Sequence, residues 1–306
     1  MKLNVAYTLL KDTFSEWSND KASRLAAALA YYTVISLPPL MIIIIAVAGA
    51  VFGEEAARGQ VVTQLQGLIG KDGAEAIEAV ITSASGSGKS AGIVASLISL
   101  GVLIFGATAV VIQLQDALNT IWEVAPKPGN FLRSFIFNRL LSFGMILGIA
   151  FMLLVSLVMS AALAVVSNYL GELAPGMKIL GSLIDFAVST GVVTILFALM
   201  FKYLPDAKIA WRDVMIGAFL TALLFNLGKY LIGLYLGKSA FGSTYGAAGS
   251  LVVLLAWIYY SAQILFLGAE FTQVYARSHG SHTQPLEFAE PVTEEARAQQ
   301  GIKPKK

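Results

Sequence analysis

The chain has 306 residues, 57% of them hydrophobic and 13% charged, with a formal net charge of +2. Soluble domains carry about 25% charged residues, so this composition, with a mean hydropathy of +0.72, is that of a polytopic all-α membrane protein. The small net charge provides no clustered basic face for nucleic acid. The absence of cysteine excludes disulfides, thiolate metal sites and a cysteine nucleophile.

Residues 1–24 read as a charged amphipathic segment on the cytoplasmic side. They lack the short basic region, apolar stretch and small-residue cleavage site of a signal peptide, so the first span is expected to act as an uncleaved signal. Residues 25–276 are expected to form one six-helix transmembrane domain. Asn19 and Asp20 are candidate caps for a first span running to about Phe52, longer than the roughly 20 residues a bilayer needs. Pro38 and Pro39 remove two backbone donors in its middle and predict a kink, with Thr33 and Ser36 placed to satisfy the loosened carbonyls. Such an interruption serves packing or borders a binding site.

Residues 54–90 form the longest connection. Apolar residues at helical spacing (Val61, Val62, Leu65, Leu68, then Ala76, Ile77, Val80) predict two amphipathic helices on the outer face. The connection ends in Ser83 to Ser90, SASGSGKS. A phosphate loop needs glycine where Ser83 stands, and no apolar strand precedes it, so this is a hinge.

The second span, about Ala91 to Ile112, continues as a polar helix through Gln113, Gln115, Asp116, Asn119 and Trp122. Its Gly101 and Gly106 allow close helix approach. A third span is expected from Phe135 to about Ser167 and a fourth from Ile179 to Tyr203, carrying Asp185. The fifth, Asp213 to Leu236, carries Asn226, Lys229 and Tyr230. The last, Tyr245 to Phe271, is apolar except for Tyr260, Gln263 and Glu270, which share an arc roughly 100° wide and so form one stripe that lipid must not see. Residues 277–306, rich in Pro, Glu, Gln and Lys, are expected to be a disordered cytoplasmic tail.

Lysine and arginine sort by side. The termini, the connection around Lys127 to Arg139 and the one around Lys202 to Arg212 hold 15, against 5 on the opposite side, with Lys229 left inside a span. The positive-inside rule then places both termini in the cytoplasm.

Charges within a span need partners or water. Asp185 and Lys229 lie roughly 9 and 11 Å below the outer end of their spans, at about 1.5 Å per residue. They are expected either to share an outward cavity lined by Asn226 and Tyr230, extended inward by Tyr260 and Gln263, or to snorkel separately to the interface. Glu270 belongs at the inner end with Asp116, Asn119, Arg139 and Arg212. That set reads as a polar clasp of helix ends or as a substrate gate.

Four stretches together resemble the YihY/BrkB family of bacterial inner-membrane proteins, formerly labelled ribonuclease BN: LAYYTVISLPPL (Leu29 to Leu40), GATAVVIQLQDALNTIW (Gly106 to Trp122), the YLPD and WRDVMIGA elements (Tyr203 to Ala218), and the last span. The resemblance covers about residues 15–276. It implies a six-helix protein associated with envelope integrity and, in some relatives, with export of lipid or lipopolysaccharide precursors, and it carries over no catalytic residue.

The residues do not support ribonuclease chemistry, because the histidines, His279 and His282, both lie in the tail and no basic aromatic module is present to hold RNA. The expectation is therefore a non-enzymatic protein, without metal or cofactor. Its partners are membrane lipids rather than nucleic acid, with a homo-oligomer among the allowed states. It would transport or flip an amphipathic envelope molecule; the alternative is a scaffold or assembly factor whose buried polar groups only fix helix packing.

Overall fold

The computed structural model describes residues 3–59, 93–127, 177–238, 247–281 and 283–299, with isolated helical positions at 62–63, 78, 82, 144 and 148. Within them the chain is helical apart from two short β pairs. Helix α1 (Leu3–Asn19) leads into α2 (Ala22–Phe52), and α3 (Ile93–Ile121) is followed by β1 (Val124–Pro126). Then come α4 (Met177–Tyr203), β2 (Ala207–Lys208), α5 (Trp211–Lys238) and α6 (Ala247–Ser278). The tail adds β3 (Gln284–Pro285), β4 (Ala289–Pro291) and α7 (Glu294–Gln299).

Four stretches among the described residues are long and apolar enough to cross a bilayer: Ala22–Ala46, Ile104–Ile121, Phe186–Tyr203 and Leu251–Ser278. Helix α5 adds a further long helix of 28 residues, with Arg212 and Asp213 in its first turn. The expected third span, the hairpin before α6 and most of the 54–90 connection lie outside the described residues.

Helix α2 continues through Pro38 and Pro39 without a break. Thr33 donates instead to the Leu29 carbonyl at 2.6 Å, one turn before the carbonyls that the prolines release. The proline ring of Pro39 is used in packing: a Cβ on Gly106 of α3 would come within 3.1 Å of it. Neither Asn19 nor Asp20 caps α2. Lys21 holds that place in a left-handed conformation (φ 55°) with no side-chain hydrogen bond capping the helix, and Asp20 is buried in an ion pair.

Helix α6 is the hub, packing against α1, α2, α3 and α5, while α2 also packs on α3 and α4 on α5. The α5–α6 seam is built from two reciprocal glycine–threonine contacts. A Cβ on Gly217 would fall inside Thr272, and a Cβ on Gly268 inside Thr221. Each threonine satisfies its own hydroxyl by donating to the carbonyl four residues earlier: Thr221 to Gly217 at 2.7 Å and Thr272 to Gly268 at 2.6 Å. Ala218, Ala222 and Ala269 beside them are fully buried. Bilayer helices have no hydrophobic drive toward one another, so small residues that let backbones approach supply contact by dispersion.

The tail departs from expectation. Helix α6 runs past 276 to Ser278, and residues 283–299 fold back over one end of the bundle. Strand β3 pairs antiparallel with β2, and β4 with β1. Composition foretold disorder because the tail has little apolar area to bury. Its order comes from polar pairing with the two inter-helix connections, which composition does not register.

Candidate functional site

The end of the bundle roofed by the tail carries a dense polar network. Gln115 and Asn119 lie four residues apart on α3 and therefore share a face. Both point at Asp206, in the connection between α4 and α5 and only 2% exposed. The Asp206 carboxylate accepts from Gln115 Nε2 at 3.0 Å and from Asn119 Nδ2 at 2.9 Å, while its backbone N–H donates to Asn119 Oδ1 at 2.8 Å. The Asn119 amide thus grips Asp206 at two points. Burial pushes the Asp206 carboxyl above its ordinary range, and the hydrogen bonds from Asn119 and Gln115 oppose that rise.

A second knot joins the chain's two ends. Arg297 of α7 is bound to Asp20 at 2.9 Å with both side chains almost fully buried, and to Glu123 at 3.4 Å. Arg277 pairs with Glu16 at 2.8 Å, Ser281 donates to Asp213 through backbone and hydroxyl, and Lys127 Nζ donates to the Glu287 carbonyl at 2.7 Å. Glu16 and Asp20 near one end of the sequence and Arg277 and Arg297 near the other therefore meet at one end of the bundle. Between α3 and the tail a cavity of about 210 Å³ remains, lined by Gln115, Asp116, Asn119 and Thr120, with Ile112 and Arg297 among its walls. It can take a polar group of modest size beside an apolar contact.

The described residues foreseen for an inner-end clasp come from α3, α5 and α6. Asn119 is bound to Asp206, Asp116 lines the cavity, Glu270 is fully buried in α6 and Arg212 is exposed. Arg139 lies outside the described residues.

Of the mid-bundle residues, Asn226 donates to Thr190 Oγ1 at 2.9 Å, tying α5 to α4. Tyr260 packs on Gly228, where an added Cβ would meet its ring at 2.9 Å. Gln263 has its carbonyl oxygen buried with no hydrogen-bond donor among the described residues. The side chains of Asp185, Lys229 and Tyr230 lie outside the described residues. Their backbone positions stand about 7.5, 4.5 and 6 Å along their helices from the Thr190–Asn226 contact, toward the same end, at about 1.5 Å per residue.

A second cavity, of about 360 Å³, lies at the far end of α2. Its walls are Ile42, Ile45, Ala46 and Gly49, and its rim holds Glu54 and Arg58, 3.9 Å apart. The partners of Asp206, Asp20, Glu123 and Arg297 were not foreseen. Asp206 ends the YLPD element and was within reach as a motif residue; Asp20 and Arg297 are 277 residues apart, and nothing in their neighbourhoods announces the pair.

A family model described as "Virulence factor BrkB" matches residues 13–291. The chain is 30% identical over 253 residues to a UPF0761 membrane protein of Verminephrobacter eiseniae, covering 81% of this chain and 57% of that one. It is 28% identical to a UPF0761 membrane protein of Stenotrophomonas maltophilia strain K279a, covering 89% and 61%. A UPF0761 membrane protein of Pseudomonas paraeruginosa is 26% identical, with 82% and 58% covered. The chain thus spans roughly three-fifths of the length of these curated relatives, whose names state a membrane location and no activity. No solved structure matches it.

Proposed function

The chain belongs to the BrkB family of membrane proteins, and from that premise we propose that it moves an amphipathic envelope molecule, a lipid above all, across the bacterial inner membrane. In this reading both termini are cytoplasmic, the family's envelope role follows from lipid placement, and no catalysis is involved. The observation that carries it is the cavity at the tail end of α3, where Asp116, Gln115 and Asn119 stand beside Ile112 at the end of an apolar span. A recess with one polar and one apolar wall at that level suits the head of an amphiphile entering or leaving the bundle. Deeper in, Gln263 and the Asp185, Asn226, Lys229, Tyr230 and Tyr260 set would continue the pathway.

A scaffold role is the second reading, favoured by one observation: Gln115 and Asn119 spend hydrogen-bonding capacity on Asp206, which fixes helix ends without any ligand. Purified protein in liposomes with headgroup-labelled lipids separates the two. Transfer between leaflets that falls at least tenfold in Asp116→Asn and Gln263→Leu, with folded protein retained, supports transport. No transfer by the wild-type protein under any ion gradient supports the scaffold.

A further inference from the structure

Helix α1 has two apolar faces, and the bundle uses one. Leu9 and Thr13 are each 2% exposed and face the bundle, where Glu16 reaches Arg277 of α6. Tyr7, Leu10 and Phe14 recur at helical spacing on an arc about 60° wide, turned away from Leu9 and Thr13. They are 71%, 50% and 57% exposed. Single exposed apolar side chains are ordinary, but three aligned on one helix mark a contact surface.

Two features set the level of this surface. Arg277 lies in the last turn of α6, whose apolar span ends at Ser278, and the span of α2 begins at Ala22, immediately after α1. The left-handed backbone at Lys21 turns the chain between them, so α1 does not prolong the α2 axis into water. Its charges are sorted as well. Exposed Lys11 lies about 40° from Tyr7 around the helix, while Asp12 and Glu16 lie about 140° and 180° away.

We propose that α1 is an interfacial anchor, its Tyr7, Leu10 and Phe14 entering the headgroup–acyl boundary of an anionic lipid leaflet and its Lys11 contacting lipid phosphates. An apolar stripe bordered by a basic residue, with acidic residues on the far side, has the charge and polarity order of a helix lying in that plane. The anchor does not depend on transport.

The chain has no cysteine, so single probes report cleanly. Full-length Tyr7→Cys, Leu10→Cys, Phe14→Cys, Asp12→Cys and Ser15→Cys variants are labelled with an environment-sensitive fluorophore in phosphatidylcholine vesicles with or without phosphatidylglycerol. At 7, 10 and 14, brominated lipid should quench several-fold more than aqueous iodide, and at 12 and 15 the order should reverse. Adding Lys11→Glu should weaken lipid quenching at 10 and 14 in phosphatidylglycerol vesicles only. Iodide quenching at 7, 10 and 14 would overturn the proposal by placing the stripe in water. Shielding from both quenchers would overturn it by placing a protein there, and quenching indifferent to Lys11→Glu would overturn the anionic preference.

Discussion

The tail-capped end of the bundle and the α5–α6 seam hold helices together by opposite means. At the capped end, side chains far apart in sequence meet as polar partners: Arg297 with the carboxylates of Asp20 and Glu123, and the Asp206 carboxylate with the amides of Gln115 and Asn119. Along the seam, Gly217, Thr221, Gly268 and Thr272 bring two backbones together and keep every hydroxyl bond within its own helix. The difference follows from the solvent. A helix facing lipid gains nothing from apolar side chains at its interface that lipid does not already provide, so shape decides. At the water boundary loops must place their backbone groups, and polar partners decide.

If the capped end depends on paired charge, removing one partner should have the largest effect. Arg297→Ala leaves Asp20 buried with its guanidinium lost, and breaking a buried pair costs about 3–5 kcal/mol. Most of that should appear as release of the tail: protease sites within 283–299 should open and Trp122 fluorescence should change while the spans stay folded. Replacing both partners, Asp20→Leu with Arg297→Met, should recover much of the loss. A tail equally resistant to protease in Arg297→Ala would contradict the ionic account.

The seam should respond to volume instead of charge. Gly268→Ala puts a methyl group where Thr221 already sits, and overpacking of this kind costs about 1–3 kcal/mol. Thr221→Ala in the same chain should return part of it, since the colliding hydroxyl and methyl are then gone. The check is denaturant-driven unfolding in mild detergent, read by helical circular dichroism. Additive losses in the double variant would mean that the two positions do not interlock.

A smaller effect, with a pH signature, is expected at Asp206. Its carboxyl titrates higher in the folded chain than in the unfolded one, so the folded state keeps its proton over a window starting near the unfolded value of about 3.9. Stability from this group is therefore complete below that value and is lost as pH rises through the folded one. Asp206→Asn should abolish this slope. At neutral pH it should also cost about 1 kcal/mol, because one of the two amides donating to the carboxylate would meet an N–H donor. The melting midpoint of both proteins between acid and neutral pH tests this.

The two regions also differ in how far the sequence disclosed them. Long apolar runs foretold α2, α3, α4 and α6 to within a few residues at most ends, because span length and hydropathy are local properties. The glycine–threonine contacts of α5 and α6 were not foreseen, since close approach was read only at Gly101 and Gly106 of the second span. The capped end was the least legible: the bond from Asn119 to Asp206 was not foreseen, and residues 283–299 were expected to lack structure yet supply β3, β4 and Arg297. Such contacts depend on which loops the bundle brings together, and no window of sequence contains both partners.

The smallest effect tests whether polar contacts inside the bundle follow the rule of the seam or of the capped end. Asn226 donates to Thr190 across α4 and α5 at 2.9 Å, and the Thr194 hydroxyl donates to the Thr190 carbonyl within α4. Hydrogen bonds between membrane helices average about 0.6 kcal/mol, since the separated helices find other partners. Asn226→Leu should then cost less than about 1 kcal/mol in unfolding while lowering lipid transfer sharply if the site lies on the pathway. A Thr190→Val variant, which removes the same bond from the other side, should match it in stability. Equal stability loss with unequal transfer would assign Asn226 a contact with substrate beyond its bond to Thr190. A loss of several kcal/mol in both would make this contact part of the packing, like the glycine–threonine interlock beside it.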